Sequence, residues 1–249
     1  MTAVPTIAVI TATLNAEKYL PRLIKSLHEQ TDGDFEWIVA DGNSTDATAR
    51  LVESSGLRAR LLQGKDFGIY DALNRAVAAC SCDYYLVIGA DDTLTPNALH
   101  DYRAAAHTQS LPDLVAAAYR KREAVHYPHK RLGWLYGMLG VASSHSVGLL
   151  IKRDLHTRFG WYSSKFPIAA DQLFVKTAIT RGASVHRERF VAGEFSVDGT
   201  SGTDSLGVIS EIFRVQVRTE RFALLQYLIF MARLMNYFRK SLLKGDWGR

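Results

Sequence analysis

The run Tyr84-Tyr85-Leu86-Val87-Ile88-Gly89-Ala90-Asp91-Asp92 is short, aromatic and β-branched, has no helical spacing, and stops at two adjacent carboxylates. It reads as a buried strand of a parallel sheet, and open α/β sheets bind their ligands at the carboxyl ends of their strands. Core packing asks for no pair of charges at such a point. A divalent cation that bridges the phosphates of a nucleotide does ask for one, because hard cations take oxygen ligands, usually including one or two protein carboxylates. The competing reading is a polar turn before the next helix.

The residues before this run repeat one rhythm. Thr6 to Thr11 is a strand, followed by Leu20, Leu23, Ile24 and Leu27 at helical spacing. Phe35 to Ala40 is a second strand ending at Asp41, after which Gly42 turns the chain and Ser44 or Asp46 can cap a helix through Leu51 and Val52. Ala59 to Gln63 is a third, leading through Gly64 to Ile69 into a helix with Tyr70, Leu73, Asn74 and Val77. The order β-α-β-α-β-α-β, with acids at the ends of the second and fourth strands, specifies a layered α/β sheet with a polar crevice on one edge. The loop Ala12 to Glu17 has no glycine, which removes the dinucleotide fingerprint and the phosphate-binding P-loop.

A chain of 249 residues with 47% hydrophobic content can build one large domain with an appendage. The net charge of +5 and pI near 9.2 point to acidic partners without choosing among them. Cys80 and Cys82, one residue apart, suit neither a disulfide framework nor a four-ligand zinc site. The opening Met1 to Pro5 lacks a basic region, and with no export signal the protein is expected in the cytoplasm.

Four blocks, Val9 to Asn15, Ile38 to Asp46, Asp66 to Asn74 and Gly89 to Asp92, resemble in order and spacing the family 2 glycosyltransferases of the GT-A fold. The Gly-Ile-Tyr-Asp-Ala block at residues 68–72 is most similar to the subgroup acting in bacterial polysaccharide assembly, such as the colanic-acid glycosyltransferases. The resemblance implies a single mixed sheet flanked by helices, with a C-terminal helical extension. It implies that Asp41 and the loop with Ala12, Thr13 and Asn15 hold the base and ribose, aided by Asp66, Gly68 and Asp91. It also implies that Asp92, with Asp91, carries Mg2+ or Mn2+ in a "DxD" site.

In the second half, Tyr119 to Arg131 is rich in cationic and aromatic side chains, either a solvated β-hairpin or a rim for an anionic acceptor. Ser143 to Ile151 is expected to be a strand. His145 in it is either a hydrogen-bonded structural residue or a site residue, and the subgroup's following glutamine is here Ser146. Asp171, followed by Gln172, opens a helix and could be its N-cap; in the resembled family an acid at this place is the general base of an inverting transfer. Gly193 to Gly202 is similar to the family's late "F-x-x-G-G-x-S" segment, with Asp198 in place of a glycine.

From Leu206 two helices follow, the second from Phe222 to Leu243. Its polar residues Gln226, Arg233, Lys240 and Lys244 form one narrow stripe, and its apolar stretch falls well short of the roughly 20 residues that span a bilayer. It is expected to lie on an anionic membrane surface, with packing on the domain or pairing into a homodimer as the other choices.

The expected organisation is a catalytic domain over 1–205, with a nucleotide-binding half at 1–95 and an acceptor-binding half at 96–205, and an amphipathic extension over 206–249. The expected activity is metal-dependent, inverting transfer from a nucleotide-diphospho-sugar to a lipid-linked or polysaccharide acceptor, peripheral on the inner face of the plasma membrane. Nucleic acid is not an expected partner. The alternative is a catalytically silent sugar-nucleotide or glycan-binding module of the same fold.

Overall fold

A computed structural model describes residues 3–107, 111–130, 132–140, 142, 143, 145–196 and 204–244. The first half follows the sequence rhythm: β1 (Ile7–Thr13), α1 (Leu20–His28), β2 (Phe35–Asp41), α2 (Thr48–Glu53), β3 (Ala59–Gln63), α3 (Ile69–Ala79) and β4 (Tyr84–Val87). Then come β5 (Thr93–Leu94), α4 (Ala98–Ala106), the hairpin β6 (Leu114–Lys121) and β7 (Ala124–His126), α5 (Gly133–Tyr136) and β8 (Leu149–Lys152). The order closes with α6 (Leu155–Phe159), α7 (Ala170–Thr180), β9 (Val185–Phe195), α8 (Ser205–Thr219) and α9 (Ala223–Lys244).

The strands form one mixed sheet in the order β3-β2-β1-β4-β8-β6-β9-β5, with β7 on β6. Side chains alternate between its faces with the period of two that extended backbone imposes. Ala8, Ile10, Ile38 and Ala40 meet Leu73, Val77, Phe174 and Val215 from α3, α7 and α8 on one face. Ile7, Val9, Trp37 and Val39 meet Leu20, Leu23, Val52, Leu99 and Tyr102 from α1, α2 and α4 on the other. Both faces are covered, which is why β1 and β2 read as almost unbroken apolar runs.

Two expectations are corrected. The run at 84–88 is not inside a purely parallel sheet: β4 is parallel to β1 but antiparallel to β8. The strand expected over Ser143 to Ile151 begins only at Leu149, because residues 146–148 form a 3-10 turn whose N-cap is His145. His145 Nδ1 accepts from the Val147 amide at 3.4 Å, a local bond that competes with a sheet ladder.

Strand direction gathers the chemistry at one edge. The carboxyl ends of parallel β1, β2, β3 and β4 point the same way. Since β8 runs against β4, its beginning and the turn before it lie at that edge, and so do the ends of β6 and β9. Residues 13–15, 41–46, 64–68, 89–92, 145–148 and 194–196 therefore share one rim.

Candidate active site

At the β1–β2 side, Thr13 is opposite Asp41 in register and donates from Oγ1 to Asp41 Oδ1 at 2.9 Å. Ser44 donates to the same carboxylate twice, from Oγ to Oδ1 at 2.5 Å and from its amide to Oδ2 at 2.9 Å. Asp41 has no exposed surface, so it organises the rim from beneath. Asn15 adopts φ +49, which asparagine tolerates, and its Oδ1 accepts from the Thr45 amide at 2.9 Å. Ala12, in register with Ala40, packs partly buried on the core below.

Asp66 Oδ1 accepts from Arg75 Nε at 2.9 Å and from an Arg75 terminal nitrogen at 2.6 Å. The same guanidinium reaches the carbonyls of Leu62 and Gly64, pinning the end of β3 to α3. Asp66 Oδ2 faces Gly42, where an added Cβ would lie 3.1 Å from it. Gly68 precedes α3 with φ +108, a backbone that glycine reaches without strain.

At the end of β4 the two acids converge on Gly89. A Cβ at Gly89 would lie 2.8 Å from both Asp91 Oδ1 and Asp92 Oδ2, so a side chain there would displace the pair. Asp92 is buried, with Oδ2 accepting from the Gly89 amide at 3.1 Å and Oδ1 from the Ser196 amide at 2.9 Å. Burial pushes its carboxyl up to about 7, and the charge of Asp91 adds to the rise. Asp91 Oδ2 is buried and has no hydrogen-bond partner. An unserved carboxylate oxygen beside a second buried carboxylate is a donor set that fits a divalent cation. Among the described residues no cluster of three or more His, Cys, Asp or Glu exists, so further ligands would have to come from phosphate and water.

Asp171 lies in the first turn of α7, but the N-cap is Ala169, without a side-chain cap. Its Oδ1 instead accepts from the Tyr70 hydroxyl at 2.8 Å, a contact between α7 and the first turn of α3. Enclosure by protein raises the carboxyl above its ordinary 3.8, with the Tyr70 hydrogen bond opposing the rise. Glu211 of α8 holds the approach to this helix, its Oε2 accepting from the amides of Ile168 and Ala169 at 3.0 and 2.8 Å. Gln172 follows in the same turn, partly exposed.

His145 is packed between Tyr119 and Phe195, whose ring centroids are 5.8 and 3.8 Å away. Burial, with Lys121 adding, lowers its imidazole to about 4, so it is neutral at physiological pH. It touches the acid pair indirectly, since Phe195 precedes the Ser196 whose amide binds Asp92. In the hairpin, Tyr119 stacks on His126 at 5.2 Å and Lys121 lies over Phe195 at 5.0 Å. Of the late segment at 193–202, residues 197–202 fall outside the described residues.

The structure thus joins Thr13, Asn15, Asp41 and Asp66 at one end of the rim and Asp91 with Asp92 at its middle, and ties Asp171 to it through Tyr70. Tyr70, Ser44, Arg75, Ser196 and Glu211 were not singled out from the sequence as site residues. Tyr70 and Ser44 carried a signal, their places in the Gly-Ile-Tyr-Asp-Ala block and in the block Ile38 to Asp46.

Comparison with known proteins bears on the fold and the family. Over 96 residues, 37% of this chain, the sequence is 38% identical to a PGL/p-HBAD biosynthesis glycosyltransferase of Mycobacterium tuberculosis, and the match spans 38% of that relative's length. It is 33% identical over 99 residues to chondroitin synthase of Escherichia coli, covering 39% of this chain and 14% of the synthase. Among solved structures, S. aureus TarS in complex with UDP superposes with a TM-score of 0.66 at 20% identity, covering 94% of this chain and 72% of TarS. The mannosyltransferase PcManGT of Pyrobaculum calidifontis, in complex with GDP-Man and Mn2+, gives 0.66 at 18% identity, covering 93% and 70%. These likenesses show the GT-A fold. Residues 8–161, more than half of the sequence, match the family described as glycosyl transferase family 2, and the chain belongs to that family.

Proposed function

We propose that the protein is an inverting glycosyltransferase that moves a sugar from a nucleotide-diphospho-sugar to a lipid-linked or polysaccharide acceptor. The observations that support this reading are Asp91 and Asp92 with an unserved oxygen at the strand-end rim, and the partly buried Asp171 held by Tyr70 of α3, the helix that starts from that rim. Residues 1–95 hold the donor, with Asn15, Asp66 and Gly68 around base and ribose and the buried Thr13 and Asp41 supporting them from beneath. Residues 96–205 hold the acceptor, with His145 and Gln172 near it, and 206–249 are an extension.

In the reaction, Asp171 accepts the proton of the acceptor hydroxyl while that oxygen forms its bond to the anomeric carbon. The bond from that carbon to the phosphate oxygen breaks, and the nucleoside diphosphate leaves with the electron pair. Attack from the face opposite the leaving group inverts the anomeric configuration. Mg2+ or Mn2+, when bound by Asp91 and Asp92, would offset charge on the departing diphosphate.

A thermal-shift screen of UDP-, GDP- and dTDP-sugars with Mg2+ or Mn2+ tests the reading, followed by NMR of the anomeric product. A cognate donor at ~100 times its Kd should stabilise the protein by about 2.7 kcal/mol. No shift with any donor speaks against nucleotide-sugar use; a shift without turnover favours the silent binding module.

A second result is expected from Tyr70→Phe. The hydroxyl lowers the Asp171 pKa, so its loss raises that pKa and leaves less of the base deprotonated at a given pH. The acid limb of the kcat profile should move to higher pH, and kcat at neutral pH should fall roughly tenfold with donor KM unchanged, the worth of a hydrogen bond to a charged group. An unchanged limb would detach Tyr70 from the base.

A further inference from the structure

Gln226 and Arg233, the first half of the polar stripe of α9, face inward. Gln226 is 1% exposed and donates to the Trp134 carbonyl at 3.0 Å, and Arg233 donates to the Leu135 carbonyl at 2.6 Å and to Gln216 Oε1 at 2.8 Å. These polar residues and Phe230, stacked on Phe213 of α8 at 4.4 Å, fasten the helix to the domain, and one apolar arc is turned away. Leu224, Leu228, Met231, Met235, Phe238 and Leu242 are all exposed, Leu224 at 77% and Leu228 at 63%. Phe222 and Tyr227 widen this arc. Exposed contiguous apolar surface on this scale marks an interaction site.

We propose that this face of α9 is a docking surface for an anionic phospholipid bilayer, with the helix lying flat in the interface. Charge selects this occupant over a second copy of the chain. From Arg221 to Lys244 the sequence has five cations, Arg221, Arg233, Arg239, Lys240 and Lys244, and no Asp or Glu. The alternating steps of four and three along the apolar stripe would also suit a helix partner. A second copy, however, would bring Arg239 and Lys240 with no acid on either helix to meet them, whereas anionic headgroups supply that charge. Arg221, Arg239 and Lys240 are exposed beside the apolar arc, the arrangement of an interfacial helix. No helix among the described residues is long and apolar enough to cross a membrane.

Docking there would also fix the site in height and tilt. α9 grips Trp134 and Leu135 of α5, Lys176 of α7 pairs with Glu220 at the end of α8, and Glu211 of α8 holds the amides just before Asp171. These contacts connect α9 to the segment that carries the candidate base.

Sedimentation of the full chain with vesicles tests the surface. Phosphatidylglycerol–phosphatidylcholine vesicles should bind the protein at least ~10 times more strongly than phosphatidylcholine alone, and salt should weaken the attraction. Leu228→Glu with Met235→Glu should lower the partition about tenfold or more, with melting temperature and transfer to a soluble acceptor analogue unchanged. Arg239→Glu with Lys240→Glu, which reverses surface charge and removes one exposed bond from Arg239 to Asn236, should remove the salt-sensitive part. No binding by the wild type, or equal binding by the apolar-face variant, overturns the proposal. A dimer that the same variant splits, in a wild type that ignores vesicles, overturns it in favour of a second copy. Vesicle binding is read without turnover, so lost binding with transfer intact strikes the surface alone, and absent transfer with binding intact strikes the proposed reaction alone.

Discussion

Asp171→Asn is expected to melt no lower than the wild type and to bind the donor nucleotide as tightly, while transfer falls by roughly 10²–10⁴, the usual worth of a positioned general base. Asparagine keeps the shape, and its Oδ1 can still accept from the Tyr70 hydroxyl that now reaches Asp171 at 2.8 Å. The sign of the stability effect follows from the raised carboxyl. A group whose folded-state pKa exceeds its unfolded value binds its proton more tightly when folded, so its ionisation costs stability as pH rises through the folded value. At neutral pH the neutral amide avoids that cost. The wild-type rate should fall as pH is lowered through the same raised pKa, placing its acid limb above the ~3.9 of an unperturbed aspartate. Initial rate, melting temperature and donor titration should be measured together. A mutant that transfers normally removes Asp171 from the mechanism, and a product that retains the donor's configuration removes the single displacement.

The sequence made the first half of the fold legible because period and punctuation agree there. Each apolar run from Ile7 to Val87 ends at a loop, and each helix between them buries a regular stripe. Direction was not legible in the second half. The runs at 114–121 and 149–152 are equally apolar whichever way they lie, and only pairing distinguishes the antiparallel contacts of β8 from parallel ones. The acids at strand ends could be placed on the rim from order alone. The partner of Asp171 could not, since Tyr70 lies 101 residues away and no local pattern joins them. α9 shows a further limit. A helical wheel gives the stripe of Gln226 and Arg233 but not the side it faces, and here it turns inward because the carbonyls of Trp134 and Leu135 need donors.

Asp92→Ala is expected to abolish the dependence of donor binding on Mg2+ or Mn2+ in calorimetry. It should lower kcat/KM by roughly 10²–10³, because charge stabilisation by a cation is worth several kcal/mol and each 1.36 kcal/mol is tenfold. Alanine also leaves the Ser196 amide without the oxygen that accepts from it at 2.9 Å, and an unmade buried bond costs about 1–3 kcal/mol. A bare loss of activity in that variant would therefore mix a lost ligand with a loosened loop. Asp92→Asn removes the charge while its Oδ1 still serves Ser196, at the cost of the bond that Oδ2 accepts from the Gly89 amide. Asp91→Asn isolates the ligand further: Asp91 Oδ2 has no hydrogen-bond partner, so neutralising it breaks no bond of that oxygen within the protein. If the pair holds a cation, both asparagine variants should lose the metal-dependent part of donor affinity; Asp91→Asn should keep the wild-type melting temperature in the absence of metal, while Asp92→Asn gives up the Gly89 bond and melts slightly lower. Metal dependence that survives in both would assign the pair to the turn after β4 and leave the diphosphate to be neutralised by other groups.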